Sequence, residues 1–302
     1  MEENNPTKRL MIIDGNALIH RAFHALPPLK TKSGKIVNAV YGFLLVLFRA
    51  IKDFRPEYVA ATFDLPKPTF RDDIYRDYKA TRQKAPDELY EQLPEVKKIL
   101  QAMGIKIYEM AGFEADDVIG TLANLVQKKQ IFPPIETIIV TGDLDTLQLV
   151  DDRTKVFTLR KGVKDAVLYD KNSVLERYGL EPEKLVDFKA LRGDPSDNIP
   201  GADGIGEKTA ASLIKDFNNI ENIYQEINNT QKISVKIKEK LRVCKEQVYF
   251  SKILSQIRKD VPLEFVLEEC NLGHFNQQST EEILKEFDFF SLISRLPEIF
   301  PK

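Results

Sequence analysis

An α/β fold is predicted from the sequence: a mostly parallel sheet flanked by helices, followed by a wholly helical region. Three observations carry this. Short β-rich runs alternate with segments of helical period through the first half of the 302 residues. Strand signals stop near residue 170. Four predicted strands each run, directly or through one tight turn, into a carboxylate, and in an open parallel sheet the strand ends are where sites are built.

Taken in order, Met11-Ile12-Ile13 forms a strand that ends on Asp14. Val40, Phe43, Leu44, Leu47 and Ile51 then recur at helical spacing. Residues 58–63 are a strand running into Asp64. Leu89, Leu93, Val96 and Leu100 mark another helix, and residues 105–108 a strand leading through a Gly112 turn to Glu114, Asp116 and Asp117. Residues 137–142 lead to Asp143 and Asp145. Segments 155–159 and 166–168 read as a hairpin around Lys161-Gly162. Segments 171–178, 183–191, 207–217, 220–227, 235–243 and 246–257 read as helices, and 281–287 and 290–296 as short helices packing back on the body. The expected division is a core over 1–170 and a helical region over 171–302, without a clear linker or repeat.

Composition sets bounds. A hydrophobic fraction of 43% supports a sizeable core. With 44 basic and 46 acidic residues the formal charge is −2, which taken alone argues against a nucleic-acid partner. Cys244 and Cys270 lie outside any metal-ligand spacing, so a reducing, cytoplasmic setting is expected. The polar start is not a signal peptide, and the apolar run 41–48 is short of the ~20 residues of a membrane span. A soluble monomer without membrane contact is expected.

Taken singly, each strand-end acid is equally well a helix N-cap or a charge favouring the next helix start. Four such places on successive strands are hard to explain that way. A fifth pair, Asp194 and Asp197, stands at i and i+3, where a turn with an N-cap is the plainer alternative. Together Asp14, Asp64, Glu114, Asp116, Asp117, Asp143, Asp145, Asp194 and Asp197 are oxygen donors with no His or Cys among them. Converging carboxylates repel unless a cation is present, and this donor set selects Mg²⁺ or Mn²⁺ over zinc. Two ions about 4 Å apart would clamp the attacking and leaving oxygens of a phosphodiester displacement. Setting the nine aside leaves 44 bases against 37 acids, a mildly basic remainder that suits nucleic acid.

Asp64 is followed by a basic and aromatic segment. If residues 70–82 are helical, Arg71, Tyr75, Tyr78, Lys79 and Arg82 share one face. Tyrosines there would stack on bases, and the cations would hold phosphates or stabilise charge on a scissile one. A solvated helix with packed tyrosines is the alternative. Further on, Gly204-Ile205-Gly206 turns tightly into helix 207–217, with Lys208 and Thr209 in its first turn. Backbone N–H groups at such a start bind phosphate. No strand precedes it, which disfavours a dinucleotide fold. Within 231–245, Lys232, Lys236, Lys238, Lys240, Arg242 and Lys245 face only Glu239, either as a further duplex surface or as an ordinary soluble helix. His20 and His24 lack a nearby third ligand and read as surface or packing residues. No Ser-His-Asp or Cys-His set points to covalent catalysis.

The motifs Ile13-Asp14-Gly15-Asn16, Phe63-Asp64, Tyr78-Lys79-Ala80-Thr81-Arg82, Gly112-Phe113-Glu114-Ala115-Asp116-Asp117, Thr141-Gly142-Asp143-Leu144-Asp145 and the run 193–210 bring a family into view. The sequence resembles the 5′ nuclease domain of bacterial DNA polymerase I, within the flap endonuclease superfamily, over nearly the whole chain. The resemblance implies a resolvase/PIN-like core and a helical arch over about 66–100 carrying Tyr78, Lys79 and Arg82. It also implies a helix-three-turn-helix over about 185–217 that holds unbroken duplex and commonly K⁺ on backbone carbonyls. It implies two metals, with Asp14, Asp64, Glu114 and Asp116 as an inner group. Asp143, Asp145, Asp194 and Asp197 would complete the second site, with Asp117 in either shell. Lys79 and Arg82 would contact the scissile phosphate and Tyr78 a base.

The expected function is a Mg²⁺- or Mn²⁺-dependent 5′ nuclease acting on DNA with a 5′ flap or nick and on RNA-primed DNA, linked to or cooperating with a polymerase. Two rivals stand beside it: a junction-binding module that does not cut, and a PIN-type ribonuclease. The glycine hairpin and the helical extension disfavour the latter.

Overall fold

The structure, a computed structural model, describes residues 8–128, 134–159 and 165–300. The first half runs β1 (Arg9–Asp14), α1 (Gly15–Ala25), α2 (Asn38–Phe54), β2 (Tyr58–Thr62), α3 (Phe70–Ile74), α4 (Asp87–Tyr90), α5 (Leu93–Ala102), β3 (Lys106–Tyr108), α6 (Ala115–Lys128), β4 (Glu136–Thr141), β5 (Thr154–Leu159) and β6 (Ala166–Tyr169). The second half is helical: α7 (Lys171–Tyr178), α8 (Leu185–Arg192), α9 (Glu207–Phe217), α10 (Ile220–Glu226), α11 (Val235–Val243), α12 (Lys245–Ser255), α13 (Gln277–Glu286), α14 (Phe290–Ile293) and α15 (Leu296–Ile299).

The sheet order is β3-β2-β1-β4-β5-β6, parallel throughout except for the β5–β6 hairpin. The turn expected at Lys161-Gly162 lies outside the described residues. Strand order switches sides at β1, so the crevice beyond β1 and β4 is where such a sheet binds ligands. The central strands are apolar on both faces, as strands covered on both sides must be. Met11, Ile13, Val59, Ala61, Ile138 and Val140 face one layer with α1, α2 and α5, while Leu10, Ile12, Ala60, Ile139 and Val156 face α6 and residues 257–270.

Within 171–302 the helices divide among more than one core. Phe188, Leu191, Ile205, Leu213, Ile214, Leu241 and Val248 form a separate core between α8 and α12. Ile283, Leu284, Leu292 and Ile299 instead join the sheet layer against α2 and α5. The last helices therefore pack back on the body, as their apolar pattern suggested.

Helix 70–82 does not form as one piece. α3 ends at Ile74, Tyr75 leaves it extended, and residues 76–82 are turns and bends, with Lys79 at φ +57°. Tertiary contacts override the helical period here. Arg71 is drawn inward to Asp117, Tyr75 packs edge-on against Phe250 at 5.4 Å, and Asn198 Nδ2 donates to the Asp77 carbonyl at 2.7 Å. The far end of this arch is pinned by buried Gln92. Its Oε1 accepts from the Ala39 and Val40 amides at 2.9 and 3.3 Å, supplying the cap that α2 lacks locally.

Residues 193–201 form a tight loop closed by reciprocal bonds between Asp194 and Ile199, each 2.8 Å. Gly201 sits at φ +66° so close to Gly193 that a Cβ would stand 2.3 Å from the Gly193 nitrogen. This crossing carries Asp194 and Asp197 from the helical region to the sheet edge.

Candidate functional site

The strand-end acids serve backbone and cleft at once. Asp14 caps α1, accepting from Ala17 N at 3.0 Å with one oxygen, while the other accepts from Thr141 Oγ1 at 2.6 Å. Asp64, from the next strand, accepts from Ala115 N at 2.7 Å and so caps α6. Asp143 accepts from Asp145 N at 2.9 Å. The capping explanation thus holds for Asp14 and Asp64, and the same residues line the crevice beyond β1 and β4.

A cleft of about 510 Å³ opens at the switch point, and Asp14, Asp64, Glu114, Asp116, Asp143, Asp145 and Asp197 line it. Asp145, Asp194 and Asp197 offer carboxylate oxygens within 4.8 Å of one another. Burial, with Asp64 and Asp143 nearby, pushes Asp14 up to about 7 against its hydrogen bonds from Thr141 and Ala17. Burial and then the charges of Asp143, Asp14, Asp145 and Glu114 push Asp116 well above the usual carboxylate range. Asp143, expected in the second group, therefore acts electrostatically on the first group as well. All-oxygen donors that are buried and mutually repelled fit hard divalent cations.

Besides Arg71, whose Nη1 comes within 3.4 Å of Glu114 Oε2, three cations answer these acids. Lys79 Nζ lies 2.5 Å from Glu114 Oε1, and Arg82 pairs with Asp197. Lys189, buried on α8, pairs with Asp145 and with Asp194 Oδ2, the latter at 2.6 Å. Burial would raise Asp194, but Lys189 and two hydrogen bonds from Ser196 outweigh it and hold Asp194 at about 2. At Asp145 burial and Asp143 prevail over the shared lysine, leaving it at about 6. Lys189 is a site residue that the sequence reading missed. A single lysine between Phe188 and Ala190 inside an apolar stripe was the available signal.

Asp117 faces elsewhere. Arg71 grips it bidentately at 2.6 and 2.9 Å, and the Glu114 and Arg258 amides donate to it at 3.2 and 2.8 Å. Both residues are buried, so Asp117 offers no free oxygen to an ion in the cleft and Arg71 is no surface contact for DNA. Tyr78, 6% exposed, directs its hydroxyl to Glu114 and Asp197 at 3.2 and 3.4 Å. Burial and Glu114 raise its pKa, which keeps it a donor. As placed, Tyr78 holds two carboxylates rather than presenting a face to a base, and Tyr75 is half-covered by Phe250. Their partners, distant in sequence, are why the helical stripe misled.

The hairpin forms as expected. Gly204 and Gly206 are exposed before α9, Lys208 is exposed and Thr209 half-buried in its first turn, and the Ile205 side chain is core, so Ile205 can meet a phosphate only through its backbone. His20 and His24 both line the cleft, with ring centroids 6.4 Å apart. Burial, His24 and Arg82 lower the His20 pKa against the pull of Asp64. Cys244 and Cys270 are free thiols, and no described helix is long and apolar enough to cross a membrane.

Comparison with known proteins agrees with this arrangement. Residues 9–179 match the family model of the 5′-3′ exonuclease N-terminal resolvase-like domain, and residues 180–278 match that of the 5′-3′ exonuclease C-terminal SAM fold. DNA polymerase I of Bacillus subtilis is 42% identical over 291 residues, 96% of this chain and 32% of the relative. The chain thus spans about a third of the length of such relatives. The T5 D15 protein co-crystallised with metal ions superposes with a TM-score of 0.68 at 19% identity, covering 95% of this chain and 100% of that one. The Rad2 catalytic core in complex with DNA substrate superposes at 0.56 with 18% identity, covering 97% and 93%. At these identities the two structures show a shared fold.

Proposed function

The chain belongs to the 5′-3′ exonuclease family, and from that premise we propose a structure-selective 5′ nuclease that hydrolyses DNA at 5′ flaps and nicks and removes RNA primers with two Mg²⁺ or Mn²⁺ ions. The observation that carries this reading is the cleft, where acids from several separate chain segments meet beside Lys79 and Arg82.

Asp14, Asp64, Glu114, Asp116 and Asp143 would hold one side of the ion pair, and Asp145, Asp194 and Asp197 the other. Divalent ions bound there supply Lewis acidity at the phosphodiester and cancel the carboxylate charge. Thr141 and Ala17 fix Asp14, Asn16 Oδ1 accepts from the Asp64 amide at 3.1 Å, and Tyr78 orients Glu114 and Asp197. Lys79 and Arg82, once exchanged from Glu114 and Asp197, would stabilise charge on the scissile phosphate. The hairpin before α9 would grip the unbroken duplex, with K⁺ on its carbonyls belonging to the same reading. Cooperation with a polymerase is supported by the relatives' identity and the cytoplasmic setting by the free thiols.

The test is cleavage of a 5′-labelled flap substrate in Mg²⁺ against EDTA, beside single-stranded RNA. Metal-dependent release of the flap is expected, and Asp143→Asn should lower its rate at least about 100-fold while binding persists. Full activity in that variant sinks the assignment. Binding without turnover favours the non-cutting module, and preference for RNA the ribonuclease.

A further inference from the structure

The basic flank of α11 remains after the cleft and hairpin are assigned. Lys232, Lys236, Lys238, Lys240, Arg242 and Lys245 stand there against Glu239 alone within 231–245. Cations elsewhere are commonly neutralised, as Arg9, Lys35, Lys97, Lys155 and Lys252 are by carboxylates. Among the described residues none of these six makes an ion pair. Three are fixed by neutral oxygens instead. Lys238 Nζ donates to the Thr230 carbonyl at 2.5 Å, Lys240 Nζ to the Gly204 carbonyl at 3.0 Å, and Arg242 Nη2 to Asn228 Oδ1 at 2.7 Å. A neutral acceptor positions the cation without cancelling its charge.

Lys240 is the informative member, because its bond joins α11 to the hairpin turn. Gly204 has φ +69°, and a Cβ there would collide with the Lys240 ammonium. The ammonium is thereby held beside the start of α9, near exposed Gly206 and Lys208. Lys236 lies one turn earlier on the same helix face and is exposed. Leu241 and Ile237 seat α11 in the helical core, so this charged side is firmly mounted.

We propose that the Lys236–Lys240 side of α11 is a second phosphate-contact surface, continuous with the hairpin, that binds the backbone of double-stranded DNA. The inference rests on the nuclease reading above and extends it. Duplex suits the surface better than single strands: the large apolar side chains exposed on α11 are Val235 and Val243, at 71% and 86%, which offer no aromatic plane for bases.

The test measures binding of the whole chain to a blunt duplex and to a single strand across a range of KCl, in EDTA. For Lys236→Gln/Lys240→Gln the duplex affinity should fall about tenfold, and the slope of log K against log salt should shrink by about 1.8, at about 0.9 per phosphate contact. Single-strand binding should be unchanged, and Lys240→Arg should match wild type. Lys232→Gln/Lys236→Gln leaves the Gly204 contact intact and should lose slope by itself. Unchanged duplex affinity and slope in both double variants overturns the proposal, while flap cleavage by the same variants would leave the nuclease reading standing. A wild-type chain that neither binds duplex nor cleaves flaps overturns both.

Discussion

The carboxylates in and beside one cleft differ in whether a cation of the chain sits on them, and Asp14 and Asp194 end at opposite extremes. Among the described residues no cation is bonded to Asp14 or Asp116, and burial drives both up, Asp14 to about 7. Asp145 and Asp194 share Lys189, which helps hold Asp194 at about 2. Asp117, one residue from Asp116, goes further and is gripped bidentately by Arg71, whose Nη1 also comes within 3.4 Å of Glu114 Oε2. A buried acid whose two oxygens are both taken up by the chain, as in Asp117, serves the scaffold, whereas one that reaches the cleft would be available to a bound ion even where a cation of the chain now sits on it. Adjacent residues of one motif can therefore have different purposes.

The comparison breaks most visibly by removing a cation. Arg71→Met should cost about 3–5 kcal/mol in denaturant unfolding, because Asp117 is left buried and unpaired, and Mg²⁺ should not restore it. Lys189→Met should cost about 3 kcal/mol in EDTA but recover much of that with Mg²⁺ or Mn²⁺, since an ion facing the cleft replaces the ammonium. Equal recovery in both variants would erase the distinction between scaffold and site.

A pH scan sharpens it next. Asp14 and Asp145 have folded pKa values of about 7 and about 6 against an ordinary 3.8, so the folded state binds the extra protons. Metal-free stability should therefore rise as pH falls from about 8 toward 4, by up to about 1.4 kcal/mol per pH unit for each group. Asp194 runs the other way: its contribution is present above 3.8 and is lost as pH falls toward 2. The thermal midpoint in EDTA should accordingly climb and then drop, and saturating Mg²⁺ should flatten the upper limb. A midpoint that only falls with acidification contradicts the assignment of Asp14.

The smallest effect is expected from Asp14→Asn, which removes one repelled charge but keeps the cap. Stability in EDTA near pH 8 should rise while flap cleavage is lost. A loss of stability would mean that Asp14 is chiefly structural.

Much of this was readable in the residues. α7, α9 and α11 fall on 171–178, 207–217 and 235–243, the segments read as helices, and Asp170 before α7 and Gly179 after it cap the first of them. Strand-end position nominated every acid that lines the cleft except Asp197, which came from the i and i+3 pair after α8. The arch was not readable, because Arg71 finds Asp117 across 46 residues and Tyr78 finds Asp197 across 119, distances that no local period reports. Pattern likewise could not separate Asp116 from Asp117, whose fates depend on which way a helix start is turned.

The arch itself has a further consequence. It is pinned at Arg71 and at Gln92, and between those pins its ties include the pairs Lys79–Glu114 and Arg82–Asp197. Both of those partners are cleft acids. A cation bound in the cleft would compete for both carboxylates and loosen these two ties, while the bonds from Asn198 to the Asp77 carbonyl and from the Lys79 amide to the Asp197 carbonyl would remain. The arch is a strap with two electrostatic fastenings on cleft acids, and a divalent ion bound there would bear on both.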